Sequence, residues 1–315
     1  AEGRGAALGA AAALLVAGWL LRGVDHLPAS SEGAFEASVV QGAVPQDRQW
    51  LAENVHELPA LYLQLFAEAS GRIAVAPESA LPFQWEDLDP ATREAYASRG
   101  LFRHFILGTF TRDEETGRSR NAAALLSPGE APRFYAKRHL TPYGEYLPFA
   151  ALLEPLLQRA RIPYANLQPG TTGGVFNLAG TVIDLSICYE SLFPRLFARD
   201  PQVALLATIT NDSWFDGTAM PAQHLQIAAG RALERQRYML RASNTGPSAV
   251  IRPDGTLAAS IAPLQRGVAA AQVERRQGLT PYMRWGDAPL LVPALMALAW
   301  LLLGALRRGT SYMKG

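Results

Sequence analysis

The chain has 315 residues, of which 49% are hydrophobic and 18% charged, and its 29 basic residues nearly balance its 28 acidic ones. A net charge of +1 offers no basic footprint for nucleic acid, and so large an apolar fraction excludes a disordered chain. The single cysteine excludes a disulfide framework within the chain. The length suits about two average domains or one large layered α/β domain.

The first predicted element is an apolar segment, residues 6–21, that contains no charged residue. As a helix it would extend roughly 24 Å at ~1.5 Å per residue, which is close to the ~30 Å hydrocarbon core of a bilayer. It therefore predicts a membrane helix within a first region, residues 1–26. The apolar part of a signal peptide and an alanine-rich buried helix are the alternatives. Because the sequence begins with Ala1, we expect it to be a piece of a longer polypeptide.

Short strands and helices alternate through residues 27–285, which indicates one layered α/β domain. Strands are predicted where short apolar runs end at Gly, Pro or polar residues, and helices where apolar residues recur every three to four positions. The predicted strands are 37–41, 73–76, 105–110, 122–126, 182–188, 204–209 and 249–251, and the predicted helices are 49–70 and 221–243. The charges of the second helix, Arg231, Glu234, Arg235 and Arg241, are expected to form a solvated face.

The last predicted element, residues 288–306, is a second uncharged segment, and Arg307 and Arg308 follow it directly. Its helical length of ~28 Å predicts a membrane span, so residues 286–315 form a third region, a helix and its tail. Basic residues favour the cytoplasmic side of a membrane. Arg4 and Arg307 therefore place both ends of the chain on that side, and the central domain is expected on the external face.

Three polar side chains lie at or just beyond the ends of predicted strands: Glu78, Lys137 and Cys188. A cysteine that attacks an acyl carbon needs a base to take its proton or a cation to hold the anion. Glu78 meets the first need. Lys137 meets the second and can donate to a developing oxyanion together with the backbone N–H of Tyr189. Each residue alone has an ordinary structural explanation, so the prediction of an acyl-transfer site depends on the combination.

The motifs Pro77-Glu78-Ser79, Lys137 to Glu145 and Ile187 to Glu190, in this order, resemble those of the nitrilase superfamily. Further stretches resemble the apolipoprotein N-acyltransferase family within it: 40–46, 139–148, 211–215, 223–224, 231–234, 241–246 and 278–282. The resemblance covers about residues 37–306. It implies a nitrilase-like αββα sandwich with a transmembrane helix at each end. It also implies that the family's earlier membrane helices are absent from this sequence.

The resemblance implies a two-step reaction on a Glu-Lys-Cys triad without a cofactor. Glu78 is the general base, Lys137 the cation that stabilises the oxyanion, and Cys188 the nucleophile. Cys188 takes an acyl chain from a membrane phospholipid as a thioester. The N-terminal amine of the diacylglyceryl-cysteine of an apolipoprotein then accepts the chain. The implied location is the bacterial inner membrane, with the catalytic domain on the periplasmic face.

The resemblance also implies accessory residues. Glu145 is a carboxylate that holds Lys137 in place, and Tyr189 and Glu190 shape the acyl site. A thioester must be protected from water, and apolar loops that lie against the bilayer would do this. The candidate loops are 81–85 and 147–149, and packing in the core is the alternative for each.

Two other functions remain open from the sequence. A membrane-tethered amidase with the same triad would hydrolyse small amides, although a soluble substrate gives no reason for membrane helices. A catalytically inactive membrane scaffold would use the sandwich only to bind partners. No metal site is predicted, since His104, His139 and His224 are not at ligand spacing and read as loop or packing residues. No Gly-rich phosphate loop follows a strand, so no organic cofactor is predicted either.

Overall fold

The computed structural model describes residues 29–51, 56–98, 103–150 and 165–312, together with isolated positions within 9–18 and 153–159. The described strands are β1 (Ala29–Gln41), β2 (Ile73–Val75), β3 (His104–Arg112), β4 (Ser119–Leu126), β5 (Arg133–Ala136), β6 (Val175–Leu178), β7 (Thr181–Ile187), β8 (Leu205–Thr210), β9 (Met239–Ser243), β10 (Ser248–Ile251), β11 (Leu257–Ile261) and β12 (Gly267–Arg276). The described α-helices are α1 (Gln46–Gln49), α2 (Glu57–Glu68), α3 (Pro90–Ser98), α4 (Met220–Arg235), α5 (Pro281–Trp285) and α6 (Ala288–Tyr312). Short 3₁₀ helices lie at Trp85–Asp87, Cys188–Leu192, Pro194–Leu196 and Ser213–Phe215.

The strands form two six-stranded sheets, in the orders β12-β1-β2-β3-β4-β5 and β11-β10-β9-β8-β7-β6. Each sheet has a parallel centre, β1-β2-β3 in the first and β7-β8-β9 in the second. The outer pairs of both sheets are antiparallel. The two sheets therefore have the same arrangement of parallel and antiparallel strands.

The core between the sheets follows from the alternation of side chains along each strand. On β2, Ile73 and Val75 pack in the core that both sheets share, whereas Ala74 packs in the layer outside the first sheet. On β8, Ile209 belongs to the shared core and Leu206 to the layer outside the second sheet. Each sheet is apolar on both faces and needs a covering layer on its outer side.

Helices supply the two outer layers. Tyr62 and Phe66 of α2, with Tyr96 of α3, pack on the outer face of the first sheet. Ala228 and Ala232 of α4 cover the outer face of the second sheet, where small side chains let the helix approach closely. The predicted αββα sandwich of two sheets is confirmed.

The predicted helix 221–243 is wrong in its second half. α4 ends at Arg235, where Gln236 adopts a left-handed conformation (φ 48°, ψ 46°), and the chain continues as β9. Arg235 and Arg241, expected on a solvated face, are buried. Nη2 of Arg241 lies 2.7 Å from Oδ2 of Asp212. A buried guanidinium is stable when a carboxylate pairs with it, and this partner is too distant in sequence for the local pattern to reveal it.

The predicted helix 49–70 is shorter than expected. α1 ends at Gln49, and α2 begins only at Glu57, with Pro59 in its first turn, where a helix tolerates proline. The strand predicted to include Cys188 ends at Ile187, and Cys188 instead begins a 3₁₀ helix.

The two predicted membrane helices are covered only in part by the described residues. Most of residues 6–21 lies outside them. α6 begins at Ala288, and its large apolar side chains from Leu290 to Leu302 are 52–75% exposed. Within the described portion of the chain, we find no helix with both the length and the apolar character needed to cross a bilayer.

Asp184 on β7 is a buried carboxyl group away from the strand ends. Burial raises its pKa from an ordinary 3.8 to about 6, although it accepts a hydrogen bond from the N–H of Ala198. Because the folded state then binds the proton more tightly than the unfolded state, the free energy of unfolding should fall by roughly 2–3 kcal/mol as the pH rises from about 4 to 6. Asp184→Asn should remove this decrease in urea unfolding measured across that range. An identical decrease in the variant would contradict the assignment.

Candidate active site

The candidate site lies at strand ends of the two sheets. β2 and β5 point the same way, because β2 is parallel to β3 and two antiparallel pairings separate β3 from β5. Glu78, which follows β2, and Lys137, which follows β5, therefore lie at the same edge of the first sheet. Cys188 directly follows β7 of the second sheet, and the charges of Glu78 and Lys137 act on its thiol. The structure thus brings the three predicted triad residues into one neighbourhood.

Lys137 lies between two carboxylates and is almost fully buried. Its Nζ is 3.2 Å from Oε1 of Glu78 and 2.8 Å from Oε2 of Glu145. Nδ2 of Asn121 donates to the Oε1 atoms of both glutamates, at 2.7 Å each. Asn121 was not predicted from the sequence. Its amide joins the two carboxylates that hold the ammonium.

The ion cluster keeps Lys137 in its charged form. Burial acts to lower the pKa of Lys137, but Glu78, Cys188 and Glu145 together raise it above its ordinary value. For Glu145, burial acts to raise the pKa, while Lys137 and Asn121 hold it below its usual range. The charge of Lys137 is therefore independent of the solution pH near neutrality.

Cys188 has an unusual backbone conformation where β7 ends. Its φ of 51° lies in the left-handed region, which costs a residue with a side chain about 1–2 kcal/mol. The side chain is half-buried. Burial, with the charge of Glu78, raises the pKa of the thiol to about 12, against the lowering effect of Lys137. A raised pKa favours the neutral thiol at rest, and a neutral thiol needs a base to take its proton as it attacks.

Glu78 is held by hydrogen bonds from both sheets. Oε1 faces Lys137 and Asn121, and Oε2 accepts the backbone N–H of Asn211 at 2.8 Å. Gln49 supports this arrangement, because its Oε1 accepts from Nδ2 of Asn211 at 2.8 Å and its Nε2 donates to the carbonyl of Ser79 at 2.6 Å. Asn211 belongs to a stretch that carried the family resemblance, but its contact with Glu78 was not predicted.

Glu190, predicted with Tyr189 to shape the acyl site, is a carboxylate with no exposed surface. Its Oε1 accepts the backbone N–H groups of Arg138 at 2.7 Å and His139 at 3.1 Å. Its Oε2 accepts the hydroxyl of Tyr135 and the N–H of Ile187, both at 2.8 Å. The carboxylate therefore ties the segment after Lys137 to the end of β7, directly before Cys188, and its predicted role in shaping the acyl site remains a prediction.

Tyr189 lies in an aromatic cluster beside Cys188. Its ring stacks on His139 with 5.7 Å between centroids, and it meets Phe193 edge-on at 5.0 Å. The rings of His139 and Phe193 are 4.2 Å apart. Such a cluster can present an apolar wall to an acyl chain, and the role predicted for Tyr189 remains a prediction.

The two loops predicted to face a bilayer differ in exposure. Leu81 and Trp85 are buried in the core outside the first sheet, which favours the alternative of core packing for 81–85. Phe149, in contrast, is 79% exposed. Trp214, which the sequence did not single out as exposed, is 71% exposed, although Asn211 three residues earlier contacts Glu78. Exposed aromatic side chains therefore lie close in sequence to residues of the site.

Gly108 on β3 allows the turn that carries Glu78 to lie close to the sheet. A Cβ at this position would be 2.2 Å from the carbonyl oxygen of Pro77 and 2.6 Å from Cα of Glu78. Gly108→Ala should therefore displace the turn, with a loss of stability of about 1–3 kcal/mol and a loss of activity. Gly230→Ala on α4 is the matched control, since a Cβ there meets nothing within 4 Å and alanine favours a helix. Equal unfolding free energies for the two variants would contradict this prediction.

Among the described residues, no group of three or more His, Cys, Asp or Glu side chains is arranged to hold a metal ion. The chemistry that the arrangement supports is nucleophilic: a thiol, a carboxylate that can take its proton, and a buried cation for a developing oxyanion.

The chain belongs to the carbon-nitrogen hydrolase family, whose sequence profile matches residues 36–279. Curated relatives named apolipoprotein N-acyltransferase confirm the narrower resemblance. The protein from Chromobacterium violaceum is 35% identical over 281 residues, which cover 86% of this chain and 54% of that protein. The protein from Azotobacter vinelandii is 34% identical over 94% of this chain and 59% of its own length. The chain thus spans somewhat more than half the length of the curated relatives that it matches.

Solved structures show the same fold at low identity. Saccharomyces cerevisiae Nit3, a member of branch 10 of the nitrilase superfamily, has a TM-score of 0.57 at 16% identity and covers 78% of this chain and 93% of its own. An amidase from Nesterenkonia sp. has a TM-score of 0.54 at 17% identity, over 84% of this chain and 98% of its own. At these identities the likeness establishes the fold alone.

Proposed function

We propose that this protein transfers a fatty acyl chain from a membrane phospholipid to the N-terminal amine of a diacylglyceryl-modified apolipoprotein, through a thioester on Cys188. The observation that carries the proposal is the buried Lys137 ammonium between Glu78 and Glu145, in electrostatic contact with Cys188. The relatives named apolipoprotein N-acyltransferase, at 31–35% identity, supply the substrate class.

The first half-reaction forms the thioester. Glu78 takes the proton of the Cys188 thiol as Sγ attacks the carbonyl carbon of the phospholipid ester. The electron pair of the carbonyl moves to its oxygen, and the oxyanion accepts hydrogen bonds from Nζ of Lys137 and the backbone N–H of Tyr189. When the C–O ester bond breaks, Glu78 returns its proton to the leaving oxygen, which gives a lysophospholipid. The raised pKa of the thiol, about 12, supports proton removal during attack rather than a resting thiolate.

The second half-reaction forms the amide. The α-amine of the acceptor attacks the thioester carbon, and Glu78 takes a proton from the nitrogen. Lys137 again stabilises the oxyanion. The C–S bond then breaks, and the sulfur of Cys188 recovers its proton from Glu78. The net change converts an ester and an amine into an alcohol and an amide, and splitting it at a thioester replaces one difficult step with two easier ones.

A membrane location is part of the proposal, because both substrates are lipids. The exposed apolar side chains of α6 and the uncharged segment 6–21 support helices that hold the domain at the bilayer. Confinement to a membrane raises the effective concentration of the substrates. We place the protein in the bacterial inner membrane, with the catalytic domain on the periplasmic face and the exposed Phe149 available to contact lipid.

Mass spectrometry of the Cys188 peptide tests the proposal. The full chain is incubated with phospholipid vesicles, and the peptide should gain the mass of one acyl chain, removable by hydroxylamine as a thioester is. Addition of a diacylglyceryl lipopeptide should remove the acyl chain from Cys188 and yield the N-acylated product. Ammonia released from small amides without acylation by lipid would instead indicate an amidase. If neither the acylated product nor ammonia forms, the result would support an inactive scaffold.

A further inference from the structure

A buried chain of hydrogen bonds ends at the backbone carbonyl of Cys188. None of the side chains in it takes part in the steps above. His224 of α4 is almost fully buried. Its Nε2 is 2.8 Å from Oγ of Ser191 and 3.3 Å from the carbonyl oxygen of Cys188, while its Nδ1 is 3.0 Å from Oδ1 of Asp212. Oγ of Ser191 donates to the same carbonyl oxygen of Cys188 at 2.9 Å.

The far end of this chain is a firmly held carboxylate. Oδ2 of Asp212 accepts from Nη2 of Arg241 at 2.7 Å and from Oγ of Ser243 at 2.9 Å, and Oδ1 accepts from Oγ1 of Thr210 at 3.0 Å. Burial acts to raise the pKa of Asp212, but His224 and Arg241 hold it well below its usual range. Because an ionised carboxylate can only accept, Nδ1 of His224 carries a hydrogen.

At the near end of the chain, Nε2 of His224, Oγ of Ser191 and the carbonyl oxygen of Cys188 form a triangle of close contacts. The ring of His224 therefore contacts both the hydroxyl of Ser191 and the carbonyl of Cys188, and it restricts where each can lie.

Serine, histidine and aspartate in this order have the spacing of a hydrolytic triad, but the arrangement is not a second nucleophile. Ser191 has no exposed surface, and its hydroxyl is directed at the carbonyl of Cys188 rather than at a cavity. A substrate cannot reach Oγ without unfolding the turn. This chain of hydrogen bonds therefore contacts the backbone of Cys188 and not a substrate.

We infer that His224 is a positioning residue that, with Asp212 and Ser191, fixes the left-handed backbone of Cys188 and so directs its thiol toward Lys137. The φ of 51° is unfavourable for a residue with a side chain, so the surroundings must hold it. The contacts of Ser191 and His224 with the carbonyl of Cys188 do this. The functional part of this inference rests on the proposed role of Cys188 as the nucleophile.

Alkylation of the thiol provides a test that does not depend on lipid chemistry. Cys188 is the only cysteine of the chain, so the incorporation of iodoacetamide reports on this residue alone. In the full chain, His224→Leu removes the hydrogen bonds of the ring, whereas His224→Gln keeps a side-chain amide of similar reach. His104→Leu is the matched control, since it breaks another histidine–serine contact, with Ser127 at 3.0 Å. His104 lies at the start of β3, whereas the Glu78 turn packs against Gly108 further along that strand.

We expect the substitutions at His224 to change reaction rates and to leave lipid binding unchanged. His224→Leu should lower the alkylation rate, and the acylation rate at saturating phospholipid, by about tenfold, with the half-saturating lipid concentration unchanged. His224→Gln should restore both rates to within about threefold, and His104→Leu should react as the wild type does. A merely structural histidine would not give this rescue.

Wild-type rates in a folded His224→Leu variant would overturn the inference, as would equal losses in the leucine and glutamine variants. If His224→Leu does not fold, Ser191→Ala replaces it and should slow alkylation by about three- to tenfold; no slowing there overturns the inference too. If the wild type takes no acyl chain from phospholipid while alkylation still depends on His224, the proposed function fails and the positioning role stands.

Discussion

Cys188→Ala is expected to abolish acyl-enzyme formation and to lower lipid-to-peptide acyl transfer by more than about 10⁴-fold. The reason is that the sulfur forms the covalent bond, and the chain contains no second cysteine to replace it. Transfer of a radiolabelled acyl chain from phospholipid to a lipopeptide, together with the intact mass of the protein, measures both effects. Alanine fits the half-buried position, so the melting temperature should change little.

Ser186→Ala, on β7 two residues before Cys188, is the matched control. Its hydroxyl makes only a long contact of 3.4 Å with the carbonyl of Ala207, and it has no contact with the ion cluster among the hydrogen bonds of the described residues. The control should therefore retain transfer. Substantial transfer by Cys188→Ala would remove the covalent mechanism, whatever the behaviour of the control.

Lys137→Met has the second large expected effect, and it acts on activity and on stability together. Loss of the oxyanion donor should lower the rate of acyl transfer by about 10²–10³-fold. Loss of the buried cation leaves Glu78 and Glu145 facing each other, which should cost about 3–5 kcal/mol of unfolding free energy at neutral pH. Denaturant unfolding and single-turnover acylation measure the two quantities separately.

The pH dependence of this loss has a definite sign. In the wild type, Lys137 and Asn121 hold the pKa of Glu145 below its usual range, so the carboxylate stabilises the fold above its unfolded pKa and loses that effect as the pH falls. The stability deficit of Lys137→Met should therefore shrink as the pH falls below about 4. Glu145→Gln keeps the Lys137–Glu78 pair, so we expect it to lose less stability and less activity. A deficit in Lys137→Met that is constant with pH would contradict the role of the ion cluster.

The sequence predicted the layers of the fold because their signals are local. Strands such as 73–76 and 204–209 are short apolar runs that end at polar residues or proline, and the two-sided burial of the sheets makes such runs necessary. The error in 221–243 has the opposite cause. Arg241 reads as a solvated charge until its buried partner Asp212, 29 positions away, is known.

The chemistry of the site was predicted from reactive side chains at strand ends and from the family motifs, but its supporting contacts were not. Asn121 and Glu78 are 43 positions apart, and Asn211 and Glu78 are 133 apart. Asparagine is common in turns, so its type alone gives no signal for such contacts. The sequence indicates a loop or packing role for His224, because no other metal ligand lies at a suitable spacing. A histidine that contacts a backbone carbonyl leaves no motif in the sequence.

The pairing of the first and last strands has a mechanical consequence. β12 is an edge strand, and it pairs with β1 from Gln41 opposite Gly267 to Ala29 opposite Arg276. Tension between the chain before Ala29 and the chain after Arg276 would open this antiparallel ladder from its end, one hydrogen bond at a time, as force spectroscopy would register. Under this force β12 would separate from β1 before the force acted on β2 and β5, the strands that precede Glu78 and Lys137. The outermost pair would thereby shield the reactive centre from lateral stress.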